Sequence, residues 1–368
     1  MEPRITMARL PGFMQPFLTW MTGMPLPDEE PLIFWTPNKL IILTLLKISI
    51  GIAIGVVGLS KPLWLAIPII LVSWMMVTGG MRMFYVVIEH SCTHNNCGST
   101  PLINRIIGET ISILLWTTTY DGFQKGHQVH HNSTRKAEDP DAQFLVTTGF
   151  VPDLSAQDFW RLFFAKLVSP LFHFRYLVER MKSNLYSGKV RGLLSLIFTL
   201  LLLTFVSMSD IWWEWIILWL VPSTVLFQMS SLVNYISEHR WPESESDYQL
   251  TRSQLSYGRF CGERVPSEQP WSFSCLKQWV VWWLRLILVH VPYRTAVLVG
   301  DLPQHDLHHR RAGSDWSNAA YVRRDDIHRK SNGEYWEYTN EWGTMADHLS
   351  ASISQWNPSK NARTADTN

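Results

Sequence analysis

Leu40–Thr78 reads LIILTLLKISIGIAIGVVGLSKPLWLAIPIILVSWMMVT, two apolar runs parted only by Ser60, Lys61 and Pro62. A bilayer core of about 30 Å takes roughly 20 helical residues to cross. Leu40–Leu59 has that length and Leu63–Thr78 approaches it, so the stretch predicts a membrane hairpin with a tight turn. Lys47 lies inside the first run, where it must snorkel or face protein. A second hairpin is predicted from Leu193–Met208 and Ile211–Val233, which turn around Ser209 and Asp210.

Composition agrees with a bilayer partner. The 368 residues carry a formal net charge of +1, which argues against a nucleic-acid partner, while 19 Trp and 17 Phe suit a membrane–water boundary. Cys92, Cys97, Cys261 and Cys275 contain no CxxC pair, against both a disulfide framework and a thiolate zinc site. Pro25, Asp28, Glu29 and Glu30 interrupt the N-terminal segment before any long apolar run, so the first membrane helix itself is expected to direct insertion.

Each hairpin returns the chain to the side it left. The segments outside the hairpins then share one face, and charge says which. The two hairpin turns hold one lysine between them, whereas Asn95–Val190 holds ten Lys and Arg, so the positive-inside rule places that segment and both termini in the cytoplasm. Ala156–Lys182 alternates aromatic with basic residues and predicts an interfacial helix broken near Pro170. Trp271–Val291 is long and Trp-rich, but Lys277, Gln278 and Arg285 favour a helix lying along the membrane over a fifth crossing. The expected organisation is a cytoplasmic N-terminal segment (1–39), a membrane domain with its cytoplasmic cap (40–350) and a disordered polar tail (351–368).

The chemistry concentrates in histidine. Of 13 histidines, nine fall in four short places: His90 and His94 in EHSCTH, His127, His130 and His131 in GHQVHH, His239 in NYISEHR, and His305, His308 and His309 in QHDLHH. A helix puts positions i, i+3 and i+4 on one face, so each box can offer its imidazoles to a metal from one surface. Isolated His173, His290, His328 and His348 are read as satisfied polar residues. Crowded imidazoles repel on protonation and lack partners when neutral, whereas a divalent cation satisfies them at once. A structural zinc takes four ligands and leaves most of the nine unexplained; two irons use the set, and imidazole also suits copper. Glu138, Asp139, Asp141 and Asp301 stand where a carboxylate could take the free ring N–H of a ligand, or simply shape turns. Asn234 could hold a metal-bound water or cap the fourth helix.

With the boxes placed, the chain resembles the integral-membrane fatty acid desaturase superfamily. EHSCTH is similar to its first box, GHQVHHNSTRKAEDPD to its second with the trailing DPD, HDLHH to its third, and PLINRIIGETISILLWTTTY to the connector between the first two. His239 matches the extra histidine that some desaturases place after the fourth span. The resemblance implies an all-α integral membrane fold: four transmembrane helices in two hairpins, with a cytoplasmic helical cap holding a histidine-rich di-iron site. It makes the nine histidines the metal ligands. It also implies molecular oxygen as co-substrate and a lipid or fatty acyl substrate attacked at an unactivated C–H bond. Ser91 departs from the family, which often has an acid there.

No cysteine-rich iron–sulfur pattern is visible, so the two electrons per turnover are expected from a separate donor such as ferredoxin, or cytochrome b5 with its reductase. Arg310, Arg311, Arg323, Arg324, Arg329 and Lys330 form either a docking face for such an acidic donor or a basic surface facing anionic lipid. Two other readings stay open. One is a hydroxylase or ketolase of fatty acyl, alkane or carotenoid substrates on the same site, from which the HxxHH spacing leans away. The other is a membrane metal-binding or transport protein, although transport ligands belong near the membrane midplane.

Overall fold

The computed structural model describes residues 2–152, 154–241, 255–266, 273–329 and 338–356. Four helices among them are long and apolar enough to cross a membrane: Pro37–Leu59, Leu63–Thr93, Lys189–Ser209 and Trp212–Ser237. The second does not stop at Thr78. Met81, Phe84, Tyr85 and Ile88 continue the buried stripe at helical spacing and carry the helix into the first histidine box. Phe84–Glu89 within it is π-helical, a widening of the turn that gathers at functional sites.

Helix starts follow a repeated local rule. Thr36, Thr100, Asp139 and Ser169 each precede a proline, and each side chain accepts a hydrogen from a backbone N–H two or three residues on. Proline at the first helical position lacks an N–H that would go unsatisfied anyway, while the preceding side chain caps another. The break expected near Pro170 is this device: Ala156–Val168 ends and Pro170–Tyr186 begins across Ser169.

The chain divides into two compact units. One comprises Thr36–His130 and Trp160–Leu232 and contains the hairpins. In the first hairpin Leu40, Thr44, Ile48, Gly51, Gly55 and Gly58 form one buried stripe. The three glycines let the second helix approach closely, which in lipid is the main route to helix packing. A Cβ on Gly51 would stand 2.9 Å from Val77 Cγ2. Trp74 Nε1 donates to the Ile217 carbonyl at 2.7 Å and ties the two hairpins together. Leu43, Leu46, Val57, Leu200, Leu201 and Phe205 face outward and exposed, a surface suited to acyl chains rather than water. Lys47 is half-buried. The connector Pro101–Leu115 leads to the helix Tyr120–Asn132, which carries the second box. Buried Arg180 donates to the carbonyls of Leu115, Trp116 and Ser223 and lies over the Phe227 ring, anchoring the turn that precedes this box.

The other unit comprises Met1–Trp35, His131–Phe159 and Val233–Asn368. It adds to the expected helices a short parallel strand pair, Gly258–Cys261 with Asn340–Gly343, in the register Arg259 to Glu341 and Phe260 to Trp342. Trp271–Val291 corresponds to a helix Phe273–Arg285 followed by a π-helical stretch Leu286–His290; among the described residues it is not one of the helices long and apolar enough to span. The last helix, Met345–Trp356, reaches into the tail expected to be disordered because Leu349 and Ile353 are buried; residues 357–368 lie outside the described residues.

The arginine-rich segment requires a correction. Arg323 is no part of a docking face: it is buried at 2 % exposure and grips the Asp306 carboxylate through Nε and Nη2 at 2.6 to 3.0 Å. Asp326 holds Arg311 at 2.8 Å and has Arg310 at 3.6 Å, and Arg324 pairs with Asp325 at 2.9 Å. Carboxylates one to seventeen positions away, hidden in a sequence of mixed charge, neutralise most of the run. Lys330 lies outside the described residues.

Candidate metal centre

In the hairpin unit the first two boxes meet. His90 and His94 stand at the end of the second membrane helix, one turn apart, and His127 projects from Tyr120–Asn132. His90 Nε2 lies 2.7 Å from His127 Nε2, which lies 2.9 Å from His94 Nε2. The elements are pinned to make this happen. Tyr120 Oη donates to the Cys92 carbonyl and Gln124 Nε2 to the Thr93 carbonyl, both at 2.9 Å, fixing one box against the other. The Phe123 ring, stacked on Tyr85 at 4.9 Å, stands 6.2 Å from the His90 ring and 6.0 Å from that of His127 and walls the group with apolar surface. His130 is buried on the same helix, its ring 5.7 Å from that of His127.

In the other unit His131 Nε2 lies 2.9 Å from His308 Nε2. His305 Nε2 lies 2.9 Å from His309 Nε2 and 3.2 Å from His239 Nε2. His239 leaves the end of the fourth span in an extended conformation, bridged to Ser256, whose hydroxyl is 3.0 Å from His239 Nδ1. Accepting the Nδ1 proton there leaves the Nε2 lone pair facing the other imidazoles. His305–Arg310 is a helix of little more than one turn, and the Asp306–Arg323 pair holds it from behind. Arg135, following the second box, is buried and donates to the carbonyls of Tyr235 and His239 at 2.8 and 3.1 Å, which fixes the approach to His239. Its guanidinium lies over Trp241. Burial lowers the Arg135 pKa and nearby Asp139 opposes the shift.

These distances fit a bound cation. Donor atoms that share one ion at roughly 2.1 Å stand roughly 3 Å apart as neighbours. Three neutral imidazoles whose Nε2 atoms all face one another cannot satisfy themselves with the available protons, since each such nitrogen carries either one hydrogen or one lone pair. With most of them buried and His94 half-buried, a metal is the partner that would use every lone pair.

The expected supporting acids separate. Asp139 is buried, accepts from the backbone N–H of Arg135 at 2.7 Å and of Asp141 at 2.9 Å, and caps the helix Pro140–Thr147. Asp141 sits half-buried in that first turn and Glu138 is exposed. Asp301 is buried near Arg294, and desolvation pushes its carboxyl up to about 7. Asn234 donates from Nδ2 to Glu238 Oε2 at 2.7 Å. Of the four isolated histidines, His173 and His348 are satisfied on both ring nitrogens, His290 lies 3.5 Å from Glu263, and His328 is exposed. Two residues escaped the sequence reading: Asp306, inside the third box, and Glu238, whose Oε1 is 2.8 Å from His305 Nε2. The adjacency of Glu238 to His239 was the one available signal.

A helical chain with four helices long and apolar enough to cross a membrane, and with histidine clusters that could hold a metal ion, has the make-up of an integral membrane protein with a candidate metal site. The fatty acid desaturase family model matches residues 30–262, more than half of the 368, and the chain belongs to that family. The match takes in the first two boxes and His239; QHDLHH follows it in the chain. No curated protein is similar enough to match. Membership makes the protein an enzyme of the desaturase, oxidoreductase type.

Proposed function

We propose that the protein is an oxygen-dependent desaturase of the acyl chain of a lipid or fatty acid, with two irons held by His90, His94, His127, His130, His131, His239, His305, His308 and His309. One observation carries the reading: in both units, imidazoles from different boxes turn their Nε2 atoms toward one another at 2.7 to 3.2 Å. Iron so bound supplies oxygen activation and hydrogen removal from an unactivated C–H bond. The chain's own residues do the rest. The imidazoles offer lone pairs with tautomers set by partners such as Ser256, Phe123 and Tyr85 exclude water, and Arg135 and the Arg323–Asp306 pair keep the boxes from drifting. Electrons come from a separate donor, ferredoxin or cytochrome b5 with its reductase, and the metal face lies in the cytoplasm with both termini, as the lysine and arginine distribution supports.

Product analysis tests this. Iron-loaded protein in nanodiscs, given a reducing system, oxygen and lipid extract, is expected to yield acyl chains that have lost two hydrogens. Chains that gain an oxygen atom from isotopically labelled oxygen would replace the reading with a hydroxylase or ketolase. No lipid product, from protein that binds metal, would replace it with metal binding or transport.

A further inference from the structure

We propose that Glu238 supplies a carboxylate ligand to the metal held by His239, His305 and His309, so that this centre is not bound by imidazole alone. The inference rests on the di-iron reading above and adds a donor that the histidine pattern does not contain. Glu238 Oε1 lies 2.8 Å from His305 Nε2 and 3.8 Å from His239 Nε2, beside the same nitrogen from which His309 and His239 stand at 2.9 and 3.2 Å. Those separations bracket the roughly 3 Å expected between neighbouring donors on one ion.

Local structure explains how two adjacent residues reach one point. The helix Phe227–Ser237 ends immediately before Glu238, and His239 is already in extended pairing with Ser256. Within a helix, neighbouring side chains diverge by about 100°. Beyond its end, that constraint is gone. The carboxylate is then held from behind: Asn234 Nδ2 donates to Oε2 at 2.7 Å, Arg259 Nη2 donates to Asn234 Oδ1 at 3.2 Å, and Arg259 Nη1 donates to Ser237 Oγ at 2.9 Å. Glu238, Asn234 and Arg259 are all buried. With Oε2 occupied by the amide, Oε1 is the oxygen left toward the imidazoles. The charge balance agrees. Three neutral imidazoles leave the full charge of a divalent ion in a dry site, and one carboxylate removes half of it while adding a hard oxygen donor suited to iron. Asn234 in this arrangement positions the carboxylate rather than a water.

The test uses the full-length protein, purified in detergent from iron-replete cells, with iron per chain and Mössbauer spectra as readouts that do not depend on activity. Glu238→Gln keeps the size and the acceptor for Asn234; Glu238→Ala removes both. Each is expected to fall from about two irons per chain to about one and to lose or shift one of the wild-type quadrupole doublets. Asn234→Leu is expected to retain both irons with roughly 10–100-fold weaker retention against a chelator at one of them. Helicity and elution volume matching wild type establish folding, and the near-isosteric Gln variant serves if the Ala variant fails that check. Unchanged iron content and spectra in Glu238→Gln, beside an iron-bearing wild type, would overturn the carboxylate ligand alone and leave Glu238 as a hydrogen-bond acceptor for His305. A wild-type protein that holds no iron would overturn the di-iron reading beneath it.

Discussion

His130 is 2 % exposed, on a helix face shared with His127 and His131. Under the proposed function, His130→Ala is expected to abolish turnover and lower the iron content while leaving membrane insertion intact, as measured by metal analysis and membrane fractionation. Asp301 gives a pH signature. Burial raises its folded pKa from 3.8 to about 7, so between those values the folded state holds a proton that the unfolded chain has released. Its contribution to stability therefore falls as pH rises from about 4 to about 7 and is lowest above that. Asp301→Asn should raise Tm relative to wild type at pH 8, with the gain shrinking towards pH 4; a gain that grows on acidification would contradict the assignment. Arg323→Met leaves the Asp306 charge buried and unpaired, an error that typically costs about 3–5 kcal/mol. Denaturation of the variant should show a loss of that order, and Asp306→Asn combined with Arg323→Met should recover part of it. At this scale the histidines were legible because their spacing alone is informative. Arg323 was not, because a run of cations looks the same whether its partners are water or a carboxylate seventeen positions back.

Among the elements, the four membrane-capable helices were legible because long runs of apolar residues have few other destinations. Their ends were not: whether a helix continues past Thr78 depends on what Met81, Phe84 and Ile88 find to pack against. The parallel pair Gly258–Cys261 and Asn340–Gly343 was invisible for a related reason. Four-residue strands with no alternation, about eighty positions apart, leave no local trace. The sharp entry to the third span has a specific dependence. A Cβ on Gly192 would collide with the backbone carbonyl oxygen of Leu185, which no rotamer change relieves. Gly192→Ala should lower Tm measurably and raise the aggregated fraction on gel filtration, whereas Leu201→Ala, on the exposed apolar face, should change stability by no more than about 0.5 kcal/mol.

For the whole molecule, a two-hairpin layout would put both termini and the long intervening segments on one side, and the lysine and arginine distribution predicts that side to be the cytoplasm. A cysteine placed at Ser60, in the first hairpin turn, should label from the outer face of sealed cells with an impermeant maleimide, in a background whose native cysteines are replaced. One placed at Glu138, which is exposed, should label only after permeabilisation. Family and fold could be read from the order of the boxes. The identity of the metal could not, since imidazole serves iron, copper and zinc alike. The most direct measurement is therefore inductively coupled plasma mass spectrometry on the purified, detergent-solubilised wild type from iron-replete cells. The account predicts about two irons per chain, lost when His130 and His308 are replaced. Zinc alone, or no metal in well-folded protein, would contradict it.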